Sequence, residues 1–129
     1  MIKDNGEIIS YGALAVKNVL IDLGINYIQE YTFPDCKNPK TNQRLRFDFY
    51  LPNYNCCIEY DGEQHFSPSK GGWNNAESYK AILYRDSLKT EYCLEKGIHL
   101  IRIPFTDKNK ISVEYILNLL SDDWRTNEV

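Results

Sequence analysis

The hydrophobic positions near the start of the chain recur at the spacing of an amphipathic helix. The positions that follow this spacing are Leu14, Val16, Val19, Leu20 and Leu23. Ser10 precedes the run and is a residue type that caps helix N-termini, and Gly24 follows it and favours a helix stop. The pattern therefore predicts a first helix from Ser10 to Leu23.

The segments after this helix have the composition of β-strands. Residues 25–33 are rich in β-branched and aromatic types, and Pro34 and Pro39 predict a loop that begins where this strand ends. In residues 44–51 apolar and polar side chains alternate with a period of two. Residues 56–61 form another short β-prone segment. We therefore expect three consecutive strands.

The alternation in the second and third of these strands has a consequence for their acidic residues. It places Asp48 on the polar face of its strand and puts Glu59, Asp61 and Cys57 together on one face of theirs. If the two strands pair as a hairpin over one core, the three carboxylates converge on the same side of a sheet.

The second half of the chain predicts a helix, a strand and a helix. The long helix covers about residues 77–96 and ends at Gly97. Residues 98–103 are a β-prone run closed by Pro104, and a last helix covers residues 113–120. The predicted order is helix, three strands, helix, strand, helix, which is an α/β fold.

The composition is that of one soluble globular domain spanning residues 1–129. Apolar residues make up 43% of the chain and charged residues 26%. No stretch approaches the roughly 18 apolar residues of a membrane span, and the N-terminus lacks the basic start and apolar run of a signal peptide. We therefore expect a cytoplasmic protein that does not bind membranes.

The net charge of −3 argues against a general electrostatic binder of nucleic acid. The charge is uneven, however, because residues 37–46 contain several basic side chains and no acidic one. These are Lys37, Lys40, Arg44 and Arg46. Together with Lys70 in the glycine-containing loop 67–75, they are candidates for contact with a phosphate backbone. A solvated loop explains residues 37–46 equally well when that stretch is taken alone.

The four cysteines do not have the spacing of a zinc site. Cys56 and Cys57 are adjacent, and neighbouring residues of a strand point to opposite faces, so the two thiols are poorly placed to share one metal. Reduced, partly buried thiols are the better interpretation of these two residues and of Cys36 and Cys93.

Asp48 and Glu59 have the chemistry of a site for Mg²⁺ or Mn²⁺. Hard divalent cations prefer oxygen ligands, and two carboxylates on adjacent strands provide a rigid platform for one. The backbone carbonyl of Tyr60 could supply a third oxygen. Most strand carboxylates simply face solvent, but acids clustered on one face repel each other unless a cation or protons lie between them. The cluster therefore favours a metal site that hydrolyses phosphodiester bonds.

The run RFDFYLPNYNCCIEYDGEQHF, residues 46–66, resembles the core of the PD-(D/E)XK, or restriction-endonuclease-like, nuclease superfamily. It is most similar to phage-type and very-short-patch-repair-like members. The segments YRDSLKTEYC and IHLIRIPF extend the likeness, so that nearly all of residues 10–120 are covered. The resemblance implies an αβββαβ core with a mixed central sheet flanked by helices, which agrees with the predicted order of elements.

The resemblance assigns the metal aspartate to Asp48 and the second acidic ligand to Glu59. Two residues beyond the second acid the superfamily usually has a lysine, and here Asp61 stands in its place. Gln64 and His65 lie close by in the sequence. Lys89, on the following helix, is a candidate for a lysine that replaces the motif lysine from another position. His65 could shuttle a proton, although a structural hydrogen-bonding role explains it equally well.

Ala13 marks a second departure. Members of this group usually begin the first helix with Ser-x-Gly-Glu, whose glutamate reaches the metal site, and this chain reads Ser10-Tyr11-Gly12-Ala13. Either the natural protein has lost the ligand or an engineered substitution has silenced cleavage. On this reading we expect the sequence to bind DNA and metal but cut poorly, and Ala13→Glu to restore cutting.

The sequence thus predicts a Mg²⁺-dependent endonuclease acting on DNA, in a bacterial or phage-infected cell. One alternative is a DNA-binding module that has kept the fold and lost the chemistry. Another is a junction resolvase or a nuclease subunit of a recombination or transposition complex. A small nuclease without a separate DNA-reading domain suits a homodimer or a partner protein.

Overall fold

A computed structural model describes residues 10–62 and 75–121, and the side chains of 75–78 are outside this description. In chain order the helices and strands are α1 (Tyr11–Leu23), β1 (Ile28–Lys37), β2 (Arg44–Leu51), β3 (Cys56–Asp61), α2 (Asn75–Lys96), β4 (His99–Pro104) and α3 (Val113–Ser121). The predicted α/β class and order of elements are confirmed. Gln64, His65 and Lys70, which the sequence suggested as site residues, lie outside the described residues.

The four strands form one mixed sheet in the order β1-β2-β3-β4. β1 with β2 and β2 with β3 are antiparallel pairs, whereas β3 and β4 are parallel. A parallel pair needs a crossover connection, and α2 provides it between β3 and β4. This crossover places α2 against β3 and β4. Glu59 on β3 and Arg102 on β4 are partner residues in the ladder between these strands.

Helices pack against both faces of the sheet. On one face α1 and α3 cover a core cluster that includes Phe49, Ile58 and Ile103. On the other face α2 covers a second cluster that includes Phe47 and Cys57. Burial of these side chains on both faces stabilises the sheet between its helices, at about 25 cal/mol per Å² of apolar surface removed from water.

The helix predicted from Ser10 begins as expected. The Ser10 hydroxyl accepts a hydrogen bond from the backbone N–H of Ala13 at 3.1 Å, which is the geometry of an N-cap. The helix ends at Gly24, whose φ of 68° lies in the left-handed region that glycine adopts without strain.

β1 departs from the prediction, because it runs to Lys37 where a loop bracketed by Pro34 and Pro39 was expected. The pairing register shifts between Thr32 and Lys37, so that extra residues of β1, Pro34 among them, bulge out of the ladder. β1 is at the edge of the sheet, where a proline without an N–H can be accommodated. The prediction of a loop at Pro34 was therefore wrong.

All four cysteines are free and buried, as expected. Burial raises the pKa of Cys36 to about 11 and that of Cys56 to about 12, which keeps both thiols protonated. Cys56 packs in the cluster beneath α1 and Cys57 in the cluster beneath α2, on opposite faces of the sheet.

Within residues 10–62 and 75–121, no helix is both long enough and apolar enough to cross a membrane.

Candidate functional site

The strand alternation predicted around Asp48 is interrupted at that residue. Phe47 packs in the cluster beneath α2, whereas Phe49, two residues later, packs in the cluster beneath α1 and α3. The pairing of β1 with β2 also skips this point, since Gln29 pairs with Phe49 and Tyr31 with Phe47, leaving Glu30 and Asp48 between them. Glu30 has a φ of 55°, which is uncommon for a residue with a side chain.

This distortion frees the Asp48 side chain to turn towards β3. Its Oδ2 accepts a hydrogen bond from the backbone N–H of Tyr60 at 2.8 Å. The ladder between β2 and β3 covers only Phe49–Leu51 on β2. The Asp48 carboxylate therefore accepts a hydrogen bond from a backbone N–H of β3 that lies just beyond the end of the backbone pairing. The contact fixes Asp48 next to Glu59.

Glu59 is almost fully buried, with 5% of its surface exposed. Burial raises its pKa, the neighbouring Asp48 carboxylate raises it further, and the Lys89 ammonium lowers it, to a final value of about 7. Lys89 Nζ on α2 donates a hydrogen bond to Glu59 Oε1 at 2.7 Å. Lys89, the candidate replacement for the motif lysine, therefore contacts Glu59 of the acidic pair.

Asp48, Glu59 and Lys89 lie together in the lining of a cavity of about 590 Å³. Basic side chains line the same cavity, and these are Arg44, Arg46 and Arg85. The lining also includes the acidic residues Glu30 and Asp86, so basic and acidic side chains face the same recess. Two carboxylates held side by side with basic side chains nearby can bind a cation and, next to it, an anionic oxygen.

The structure brings some of the sequence-predicted residues together and separates others. Asp48, Glu59, Tyr60, Lys89, Arg44 and Arg46 line the cavity. Asp61 is absent from the described lining, since its Oδ1 faces Arg102 Nη1 at 3.5 Å. Lys37 and Lys40 are both exposed and absent from the lining, and Lys40 Nζ lies over the ring of Tyr84 on α2.

Arg102 explains how α2 is held against the sheet at this point. Besides facing Asp61, its guanidinium donates to the backbone carbonyl of Asp86 at 3.0 Å and to Thr90 Oγ1 at 3.2 Å. It thereby joins β4 and β3 to the turn of α2 that includes Asp86 and Lys89.

Sequence reasoning missed Glu30, Arg85 and Asp86, which also line the cavity. Arg85 had a usable signal, because it lies four residues before Lys89 and such residues share a face of a helix. Glu30 had none, since its place beside Arg46, at 3.4 Å, follows from the pairing register of β1 and β2.

The fit of a divalent cation to this site can be judged from its donors. Asp48 and Glu59 are hard oxygen ligands, and burial, together with the repulsion between them, raises the pKa of Glu59. The N–H and C=O of an extended residue point to the same neighbouring strand, so the Tyr60 carbonyl faces the side on which its N–H meets Asp48. No cluster of three or more His, Cys, Asp and Glu side chains suited to a metal occurs among the described residues. The donors present fit a cation held by two carboxylates with a backbone carbonyl nearby.

Ala13 lies in the core cluster beneath α1 and α3, with 8% of its surface exposed, and is absent from the described cavity lining. The neighbouring Gly12 packs against the ring of Tyr60, and an added Cβ there would lie 2.1 Å from the Tyr60 ring. A side chain longer than alanine at position 13 therefore enters an apolar, closely packed region.

We expect Ala13→Glu to lower the free energy of unfolding by about 3 kcal/mol or more, because a carboxylate would be buried among apolar side chains. Urea unfolding at pH 7 measures the effect. Asn18→Glu, at an exposed position of the same helix, is the matched control and should change stability by about 0.5 kcal/mol or less. The opposite outcome is an Ala13→Glu protein that is as stable as the parent and cleaves DNA faster. That result would support the hypothesis from the sequence that a carboxylate at position 13 reaches the metal.

Comparison with known proteins identifies similar viral sequences. The chain is 36% identical over 72 residues to uncharacterized protein 033L of Invertebrate iridescent virus 3, an alignment that covers 56% of this chain and 37% of that protein. It is 35% identical over 78 residues to uncharacterized protein 307L of Invertebrate iridescent virus 6, covering 57% and 40% of the two chains. It is 34% identical over 76 residues to uncharacterized protein 094L of Frog virus 3, covering 56% and 47%.

In each case the aligned part is less than half of the viral protein. No protein-family profile matches the chain, and no solved structure matches it.

Proposed function

We propose that the protein is a metal-dependent nuclease that hydrolyses phosphodiester bonds of DNA at the Asp48–Glu59 pair. The observation that carries the proposal is the position of this pair in a cavity whose lining also includes Lys89, Arg44, Arg46 and Arg85. Acidic residues alone would repel a phosphate, and basic residues alone would only bind one. The combination is what phosphodiester hydrolysis with a bound cation requires.

The order of elements and the mixed sheet agree with the restriction-endonuclease-like core that the motif of residues 46–66 resembles. In that assignment Asp48 and Glu59 are the acidic ligands of the superfamily. Lys89 takes the place of the motif lysine, because Asp61 occupies the usual position and turns to Arg102. Similarity to viral proteins is consistent with a nuclease that acts in a virus-infected cell.

Each residue of the site has a distinct part in the proposed reaction. Asp48 and Glu59 would hold Mg²⁺ or Mn²⁺, which would supply a Lewis acid for the phosphate and lower the pKa of a water. Lys89 Nζ, at 2.7 Å from Glu59, is positioned to donate a hydrogen bond to a phosphate oxygen that enters beside the carboxylate. Arg44, Arg46 and Arg85 neutralise the phosphates on either side and orient the strand.

Metal binding tests the first requirement of this proposal without any cleavage assay. We expect Mg²⁺ or Mn²⁺ to bind the parent protein and Asp48→Asn to weaken that binding at least about tenfold, because one of two charged ligands is lost. Isothermal titration calorimetry measures the affinity. Asp107→Asn is the control and should bind metal as the parent does. The Asp107 carboxylate lies outside the cavity lining and accepts a hydrogen bond from the Tyr115 hydroxyl. Equal metal uptake by the parent and Asp48→Asn would remove the basis of the site.

A further inference from the structure

Asp61 and Arg102 are two charged side chains that the proposed reaction does not use. Asp61 is the last residue of β3, stands where the superfamily usually has its lysine, and has only 7% of its surface exposed. Arg102 Nη1 lies 3.5 Å from Asp61 Oδ1. A carboxylate that is removed from water is stabilised by a nearby cation. This contact therefore favours one position of the guanidinium, at the carboxyl end of β3.

From this position Arg102 reaches α2. Its Nη2 donates to the backbone carbonyl of Asp86 at 3.0 Å and to Thr90 Oγ1 at 3.2 Å. The Thr90 hydroxyl itself donates to the same Asp86 carbonyl at 3.0 Å. Nη1 also lies 3.6 Å from Asp86 Oδ1. One guanidinium group therefore contacts two residues of α2 that lie one helical turn apart.

Lys89 belongs to this same turn of α2, between Asp86 and Thr90 in the sequence. Its Nζ lies 2.7 Å from Glu59 Oε1. Each residue of an α-helix advances about 1.5 Å along the axis and turns about 100° around it. A shift of α2 by one residue against the sheet would therefore carry the Lys89 ammonium away from the Glu59 carboxylate.

Apolar packing alone gives α2 little directional restraint. The helix contributes Leu88, Tyr92 and Cys93 to the apolar cluster between it and the sheet. Hydrophobic attraction is non-directional, whereas a hydrogen bond weakens steeply when its angle is lost. The contacts of Arg102 therefore supply a directional restraint at the turn that carries Lys89.

We propose that Arg102 is a positioning residue of the site, which fixes the rotation and axial position of α2 where Lys89 contacts Glu59. Asp61 has the complementary part, because its carboxylate holds the guanidinium in place. Arg102 is absent from the described cavity lining and acts through Lys89. The claim that this alignment serves hydrolysis rests on the proposed nuclease function, whereas the alignment itself is a property of the folded chain.

Chemical labelling of lysines tests the alignment without a metal or a cleavage assay. The protein is treated with a trace of acetic anhydride at neutral pH and digested, and mass spectrometry compares Lys89 with Lys80, an exposed lysine of the same helix. The Lys89 side chain is only 14% exposed and is paired with Glu59. We therefore expect Lys89 of the parent to react at least about tenfold more slowly than Lys80, since it must first leave this contact.

Two substitutions weaken the restraint to different degrees. Arg102→Lys keeps the positive charge but lacks the planar group that contacts β3 and α2 together, so Lys89 should react at least about fivefold faster than in the parent. Thr90→Val removes one of the acceptors at an exposed position and should raise the Lys89 rate about threefold, the size expected for one hydrogen bond.

A control variant separates loss of alignment from loss of stability. Tyr115→Phe removes the hydrogen bond from the Tyr115 hydroxyl to Asp107, which lies outside α2, and should leave the Lys89 rate as in the parent. Thermal melting shows which variants are folded. If Arg102→Lys does not fold, the comparison of Thr90→Val with the parent decides the matter.

Hydrolysis rates distinguish this inference from the proposed function. Arg102→Lys should lower the single-turnover rate in Mg²⁺ about tenfold in the parent and less than about twofold in Lys89→Met, because it acts through Lys89. Independent effects of the two substitutions would overturn the inference and leave the nuclease function standing. So would equal labelling of Lys89 and Lys80 in the parent, or a parent-like Lys89 rate in the folded variants. If labelling is as expected but no DNA is hydrolysed, the alignment stands and the nuclease function fails.

Discussion

Glu59→Gln is expected to lower the Mg²⁺-dependent hydrolysis of DNA by about two to three orders of magnitude. The substitution keeps the shape of the side chain and removes the charge that would hold the cation, and losing one positioned electrostatic group commonly has an effect of this size. Single-turnover rates on linear, nicked, flapped and four-way DNA measure it. The panel also finds the preferred DNA structure.

Two properties of the Glu59→Gln protein make the result interpretable. Since burial raises the pKa of Glu59 to about 7, a neutral amide should be tolerated there and the variant should remain folded. Glu91→Gln, at an exposed position of α2, is the matched control and should leave the rate unchanged. Equal Mg²⁺-dependent cleavage by the parent and Glu59→Gln would show that the hydrolysis comes from elsewhere in the protein or from a contaminant.

Lys89→Met is expected to lower the stability of the protein by about 3 kcal/mol at alkaline pH and by much less near pH 5. Lys89 lies 2.7 Å from a buried carboxylate, and removing one member of a buried ion pair commonly costs about 3–5 kcal/mol. Methionine keeps the apolar stem of the lysine but not its charge. In the variant Glu59 must therefore either carry its negative charge without the Lys89 ammonium beside it or stay protonated.

The direction of the pH dependence follows from the raised pKa of Glu59. The folded parent binds the Glu59 proton more tightly than the unfolded chain, so its stability falls as pH rises from about 4.5 to about 7. This fall is about 3 kcal/mol and ends once Glu59 is ionised in the folded state. Without Lys89 the pKa of Glu59 is higher, so in Lys89→Met the fall continues above pH 7 at up to about 1.4 kcal/mol per pH unit.

Urea unfolding between pH 5 and pH 9 measures both curves. Lys80→Met, at an exposed position of the same helix, is the control and should follow the parent curve. In Glu59→Gln the contribution of this carboxyl to the slope between pH 4.5 and pH 7 should disappear. Curves for the parent and Lys89→Met that stay parallel above pH 7 would mean that the Lys89–Glu59 contact does not stabilise the charged form of Glu59.

The order of helices and strands along the chain and the positions of the acidic residues on two strands could be predicted because they depend on local patterns. The period of two in residues 44–51 and the β-prone run of residues 56–61 predicted the bounds of β2 and β3. Ser10 and Gly24 marked the ends of α1 through hydrogen bonds that involve only nearby residues. The identity of the acidic pair followed from its positions on two neighbouring strands.

Other features depend on contacts between residues that are distant in the sequence, and a local pattern does not specify these. Pro34 predicted a loop, but the edge position of β1 accommodates it within a bulged strand. Ala13 looked like the position of a missing ligand, whereas packing places it in the core cluster beneath α1 and α3. Asp61 was grouped with the other acids, yet Arg102 on β4 lies beside its carboxylate.

By itself, then, the sequence determined the α/β class, the order of elements and the two acidic residues on β2 and β3, because hydrophobic periodicity and capping act over a few residues. Only the tertiary structure decided how these acids are surrounded. It breaks the alternation at Asp48 so that the side chain bonds to Tyr60, and it places α2 so that Lys89 meets Glu59. The reason is that register, bulges and helix docking are set by packing across the whole sheet, where the contacts join residues 12 or more positions apart, such as Asp48 with Tyr60 and Lys89 with Glu59.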